Sequence, residues 1–178
     1  MYSSSVSLRL LLAGLCILVF SCSQPTPEKY FDVAVLNSNL VVGFADDGLD
    51  RELESPSVKM GKTKDEFVPM KRDEVIQSIL QSVEENYEKL KSLPSNNEAS
   101  AMVNASKDIY EFILPVYKKE YTELAALYDK GADPAAIELK TRQIHDLYSS
   151  GFAGRYSQLI ALGKQYAAKH KIEVKWNM

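Results

Sequence analysis

Few side chains in this sequence could perform nucleophilic or acid–base catalysis. It has two histidines, His145 and His170, and it lacks the G-x-S-x-G motif that places a nucleophilic serine at a sharp turn. The Glu-x-x-His pairs that bind iron in helical bundles are also missing, because the residue three positions before His145 is Arg142. We therefore predict a non-enzymatic protein with no catalytic residues and no cofactor.

An acidic run at residues 46–52 has the composition of a calcium-binding loop. An EF-hand loop needs acidic residues at its positions one, three and five and a glycine at position six. Gly48 follows Asp46 and Asp47 too early for that pattern. We therefore interpret the run as an acidic surface loop and His145 as a structural residue on a helix surface, and we predict no metal site.

The sequence between residues 100 and 129 carries a wide apolar face that is rich in tyrosine. Two stripes at helical spacing lie side by side on it: Tyr110, Leu114, Tyr117, Tyr121, Leu124 and Tyr128 in one, and Met102, Ile109, Ile113 and Val116 in the other. A face of this width predicts a helix that contacts two or more others. Tyrosine also suits a ligand groove, because its ring offers contact area and its hydroxyl a hydrogen bond.

Hydrophobic periodicity and capping residues predict the helices that would position these side chains. Residues 73–93 carry one apolar stripe, and Pro94 ends it. Ser95 and Glu98 have the spacing of a capping box, in which each side chain binds a backbone N–H group of the first turn. A second helix is therefore predicted to begin at residue 95.

The second and third helices are long, and a tight turn joins them. The second runs to about residue 129, where Gly131 provides a left-handed cap, and Asp133-Pro134 begins a third that fades at residues 169–170. Two long helices joined in this way must lie antiparallel. Residues equally far from the turn then face each other, which predicts an ion pair between Asp108 and Arg155.

A proline and two glycines predict an irregularity halfway along this helix pair. Pro115 lacks the N–H group of a helix interior and predicts a kink, while Gly151 and Gly154 lie opposite it. The space could form a ligand cleft, and its candidate lining residues are Tyr117, Tyr148, Phe152 and Arg155. The simpler alternative is that the small residues admit bulky neighbours.

The remaining segments complete the expected architecture. Residues 30–44 fit either a helix or a hairpin, and we favour a helix because it would complete a bundle. Residues 45–71 have no sustained period, and residues 171–176 alternate as an extended tail that buries Trp176. The predicted fold class is all-α: an antiparallel three- to four-helix bundle with two long helices, a long irregular segment near the N-terminus and a short extended C-terminal tail.

The first 22 residues, MYSSSVSLRLLLAGLCILVFSC, have the pattern of an export signal. Arg9 precedes an apolar run from Leu10 to Phe20, which is about half of the roughly 20 residues that a membrane-spanning helix needs. The ending V-F-S-C resembles the lipobox of Gram-negative bacterial lipoproteins. This resemblance implies a signal peptide at 1–21 and a lipidated tether at 22–29 that begins with an acylated Cys22. The length and helical periodicity of residues 30–178 predict a single helical-bundle domain there.

The resemblance and the charge together define the expected function. Removing residues 1–21, whose only charge is Arg9, changes the formal net charge from −3 to −4, which does not suit a nucleic-acid binder. Ser23 after the cysteine implies the outer membrane, on its periplasmic or its surface face. We expect a non-enzymatic envelope lipoprotein whose tethered bundle binds membrane lipid through Cys22 and an envelope protein partner. The alternative is a small-molecule carrier or sensor with a mid-bundle pocket.

Overall fold

The computed structural model describes residues 24–63 and 65–176, and helices dominate them. The elements are α1 (Pro27–Ala34), a 3₁₀ helix (Leu36–Val41), α2 (Asp47–Glu54), strands β1 (Val58–Met60) and β2 (Phe67–Pro69), α3 (Arg72–Lys91), α4 (Ser100–Val116), a π-helical turn (Tyr117–Tyr121), α5 (Thr122–Asp129) and α6 (Pro134–His170). The predicted all-α bundle is confirmed. Within the described residues, no helix has the length and apolar character needed to cross a membrane.

The turn between α5 and α6 has the predicted capping residues. Gly131 has φ +64°, and its N–H group donates to the carbonyl of Tyr128 while that of Ala132 donates to Leu127, which is a Schellman motif. Asp133 then caps α6 by accepting a hydrogen bond of 2.8 Å from the Ala135 N–H group. The chain reverses here, and α6 packs antiparallel along α4 and α5.

The predicted start of the second long helix is wrong. No helix begins at Ser95, because the Asn96 carboxamide oxygen accepts hydrogen bonds from the N–H groups of Glu98 (2.9 Å) and Ala99 (3.1 Å) and holds the chain in a turn. An asparagine side chain competes well for neighbouring backbone donors. α4 therefore begins at Ser100.

The irregularity that Pro115 predicts takes the form of a π-helical turn. Pro115 cannot donate to the carbonyl of the preceding turn, and the helical period widens over Tyr117–Tyr121 before α5 resumes. The Thr122 hydroxyl donates to the widened turn at the Tyr117 carbonyl, 3.1 Å away. Two helices and a π turn thus replace one continuous helix.

The N-terminal segment is helical, as favoured, and starts earlier than expected. α1 begins at Pro27, and the Thr26 hydroxyl caps it by accepting from the Lys29 N–H group. The first turn of α1 therefore lies inside the segment 22–29 that was predicted as a tether. The rings of Tyr30 and Phe31 are buried, because α1 contacts α3, α4 and α6 at once.

Residues 45–71, which lack a sequence period, contain α2 and the β1–β2 hairpin. The ion pair between Lys59 and Glu74 joins the hairpin to α3, and the Arg72 side chain donates to the Leu53 carbonyl at the end of α2, 3.0 Å away. The segment is thus attached to the bundle. At the other end of the chain, residues 172–176 form neither helix nor strand, and Ile172, Val174 and Trp176 are half-buried while Glu173 and Lys175 are exposed, in the predicted alternation.

Candidate functional site

The four residues of the predicted mid-bundle cleft come together, but packed rings occupy the space between them. Phe44 lies 5.4 Å from Tyr117 and 5.2 Å from Phe152, measured between ring centroids. Phe112 contacts Tyr148 at 6.1 Å, also between centroids. Tyr117 and Phe152 are buried. An aromatic core therefore lies at the level where the cleft was expected, and a ligand cleft there stays a prediction.

The glycines opposite Pro115 explain how this core fits. A Cβ atom on Gly151 would lie 3.1 Å from the Phe112 ring, so Gly151 admits that bulky neighbour. The predicted ion pair is confirmed, since Arg155 Nε lies 2.9 Å from Asp108 Oδ2. The Arg155 guanidinium also lies over the Phe112 ring, 4.3 Å from its centroid.

A different site, which we call the tail groove, lies on the surface between the 3₁₀ helix, α6 and the extended tail. Its volume is about 800 Å³. Its lining includes Leu36, Val42, Ile160, Lys164, Val174 and Trp176. The groove brings together two segments from opposite ends of the chain, which explains why sequence reasoning missed it.

Close packing holds the walls of the tail groove in place. A Cβ atom on Gly163 would lie 3.0 Å from a Val35 methyl group, so this glycine lets the end of α1 approach α6. Trp176 packs edge-on against Phe31 at 5.8 Å between ring centroids, and the Tyr156 hydroxyl donates to the Asn39 side chain at 3.2 Å. The groove is therefore built from contacts to the core.

The surface of the tail groove is apolar with basic groups beside it. Leu36 and Val42 are 41% and 51% exposed, and neighbouring Leu40 is 45% exposed. Lys164 lies over the Trp176 ring at 5.5 Å, and Lys175 also lines the groove. The sequence does indicate this exposed apolar surface, because residues 30–44 carry more apolar side chains than one buried helical face requires.

A second cluster joins the acidic run to the first histidine. Asp47 and Asp50 lie one helical turn apart on α2, and His145 Nε2 on α6 lies 2.9 Å from Asp50 Oδ2. Burial raises the pKa of the Asp50 carboxyl above its ordinary value; His145 opposes this rise, and the charges of Asp47 and Glu54 add to it. We call Asp47, Asp50 and His145 the aspartate–histidine cluster.

No protein-family model matches this chain, and neither a curated protein nor a solved structure proved similar to it. Cys22, the predicted lipidation site, lies outside the described residues.

Proposed function

We propose that this chain is a non-enzymatic envelope lipoprotein whose bundle, tethered to the outer membrane through acylated Cys22, binds a segment of another envelope protein in the tail groove. The observation that carries this proposal is the exposure of Leu36, Leu40 and Val42 beside an apolar groove. A contiguous patch of exposed apolar side chains typically marks an interaction site, whereas single exposed apolar residues are common on any protein surface.

The charges beside the groove define the kind of segment that fits. An apolar stretch would replace water over Ile160 and Trp176, and an acidic side chain on the same segment would complement the exposed Lys175. We therefore propose an apolar partner segment that carries at least one acidic residue. The negative net charge of the chain argues against nucleic acid as the partner.

Site-specific photo-crosslinking in cells that make the full chain tests this proposal. A photoreactive residue at Val42 should crosslink one envelope protein through an apolar, acidic peptide, and Leu36→Glu should reduce the yield. The control position is Leu147, which is 67% exposed on α6 and lies outside the groove. Equal products at Val42 and Leu147, or a yield insensitive to Leu36→Glu, would contradict the proposal.

The volume of the groove favours a second candidate function, the carriage of a small apolar molecule. About 800 Å³ falls within the range of roughly 300–1,000 Å³ that ligand sites occupy. A fluorescent apolar dye would then bind the purified chain saturably, and Ala161→Trp, which narrows the groove, would abolish binding. Saturable dye binding without a protein crosslink at Val42 would favour the carrier.

A further inference from the structure

We propose that the aspartate–histidine cluster binds a divalent first-row transition metal ion such as Zn²⁺, with one carboxylate oxygen each from Asp47 and Asp50 and the Nε2 atom of His145 as ligands. The site is separate from the tail groove and its argument does not depend on the proposed function. The prediction of a surface loop for the acidic run is wrong, because residues 47–52 lie in α2, and the proposal also replaces the prediction of no metal site.

The three ligand atoms are close enough to share one ion. All of them lie within 4.8 Å of one another, and His145 Nε2 lies 2.9 Å from Asp50 Oδ2. Zinc bonds of about 2.0–2.2 Å to nitrogen and oxygen place neighbouring ligand atoms roughly 3–3.5 Å apart. Small rotations of the Asp47 and Asp50 side chains would therefore suffice to close the site.

The backbone beneath the cluster is fixed by packing. α2 lies close to the preceding loop, because a Cβ atom on Gly48 would be 3.2 Å from the Gly43 Cα. Leu49 and Leu53 of α2 are buried, and so is Ile144 beside His145 on α6. Each of the two helices that carry the ligands is thus anchored in the core by its own buried side chains, which reduces the entropy lost on binding.

The donor set selects the class of ion. An imidazole nitrogen with two carboxylates suits zinc, iron(II) or manganese, whereas calcium and magnesium prefer oxygen ligands alone. Asp47 is exposed, while Asp50 and His145 are partly buried, so the open side of the site faces solvent. Three protein ligands leave at least one coordination position for water.

The second histidine provides a matched comparison within the same chain. His170 Nε2 lies 3.3 Å from Glu98, but the Lys169 ammonium lies 3.0 Å from the same glutamate. A lysine charge at this position repels a metal cation. Among the described residues, no third carboxylate or histidine ligand atom lies within 4.8 Å of both His170 and Glu98, whereas His145 and Asp50 have Asp47.

Calorimetric titration of the chelator-treated full chain with ZnCl₂ tests the proposal. We expect one Zn²⁺ per chain, with a Kd raised at least about tenfold by His145→Gln, Asp50→Asn or Asp47→Asn and unchanged by His170→Gln. Asp47 is exposed, so Asp47→Asn gives a folded test even if the Asp50 variant is unstable. Absence of binding, or an equal effect of His170→Gln, would overturn the site.

Discussion

Two glycines in α6 show that the effect of substituting a residue depends on what lies beside it. Gly154 is exposed, with no atom within 4 Å of a built Cβ, whereas Gly163 faces Val35 at 3.0 Å. Gly154→Ala should stabilise the protein by about 0.8–1 kcal/mol through helix propensity. Gly163→Ala should destabilise it, because overpacking costs about 1–3 kcal/mol. Urea unfolding of both variants checks this, and a change in unfolding free energy of the same sign in both would contradict it.

Arg155 is expected to contribute more to stability than its acidic partner. The Asp108 side chain is 54% exposed, so Asp108→Ala should cost less than about 1 kcal/mol. Arg155→Ala also removes the cation–π contact with the Phe112 ring, and this loss should lower the free energy of unfolding by about a further 0.5–1 kcal/mol. A double-mutant cycle from denaturant unfolding separates the two terms. If Asp108→Ala costs as much as Arg155→Ala, the ring contact contributes nothing.

At the scale of elements, an ion pair connects the π-helical turn to α6. Lys140 lies 2.7 Å from Glu120, and their side chains are 15% and 16% exposed. Hydrogen bonds from Lys140, and then from Lys119, hold the pKa of Glu120 below its ordinary value of 4.5. The burial of this ion pair is intermediate between that of an exposed and that of a fully buried pair. Glu120→Gln should therefore lower the free energy of unfolding by roughly 1–3 kcal/mol at neutral pH.

The same pair predicts a pH dependence. A carboxyl group with a lowered pKa in the folded state stabilises the protein above its unfolded pKa, and this stabilisation is lost as the pH falls through the folded value. The difference in unfolding free energy between the wild type and Glu120→Gln should therefore shrink below about pH 4.5. Unfolding curves between neutral and acidic pH measure it; a constant difference would show that Glu120 acts without its charge.

The sequence predicts elements where the determining contacts are local. The stripe of α3, the Gly131 turn and the start of α6 depend on neighbouring residues and were predicted correctly. The start of α4 depends on whether the side chain of Asn96 or that of Ser95 accepts hydrogen bonds from the free backbone N–H groups, and both side chains are suitable acceptors. The aromatic core at mid-bundle could not be predicted for a different reason, because Phe44 reaches this level from a distant segment that has no fixed register in the sequence.

At the scale of the whole molecule, the predicted anchor determines where the protein resides. Acyl chains on Cys22 would hold it at the membrane, since each buried methylene contributes about 0.8 kcal/mol. Cys22→Ala should release the protein or leave its precursor unprocessed, whereas Cys16→Ala should change neither. Membrane fractionation with intact-mass measurement checks this. A mature-sized Cys22→Ala protein that still requires detergent would contradict the anchor.

The tail groove also sets an order of events during synthesis. Its first wall, the 3₁₀ helix, leaves the ribosome early, and its second wall, which includes Trp176, follows much later. At about 5–20 residues per second, the interval is on the order of ten seconds. During it, Leu36 and Val42 have neither α6 nor the tail beside them and are available to chaperones. If the tail groove binds the proposed partner segment, binding requires a chain made through Trp176, and fragments that stop short of this residue should not bind the partner.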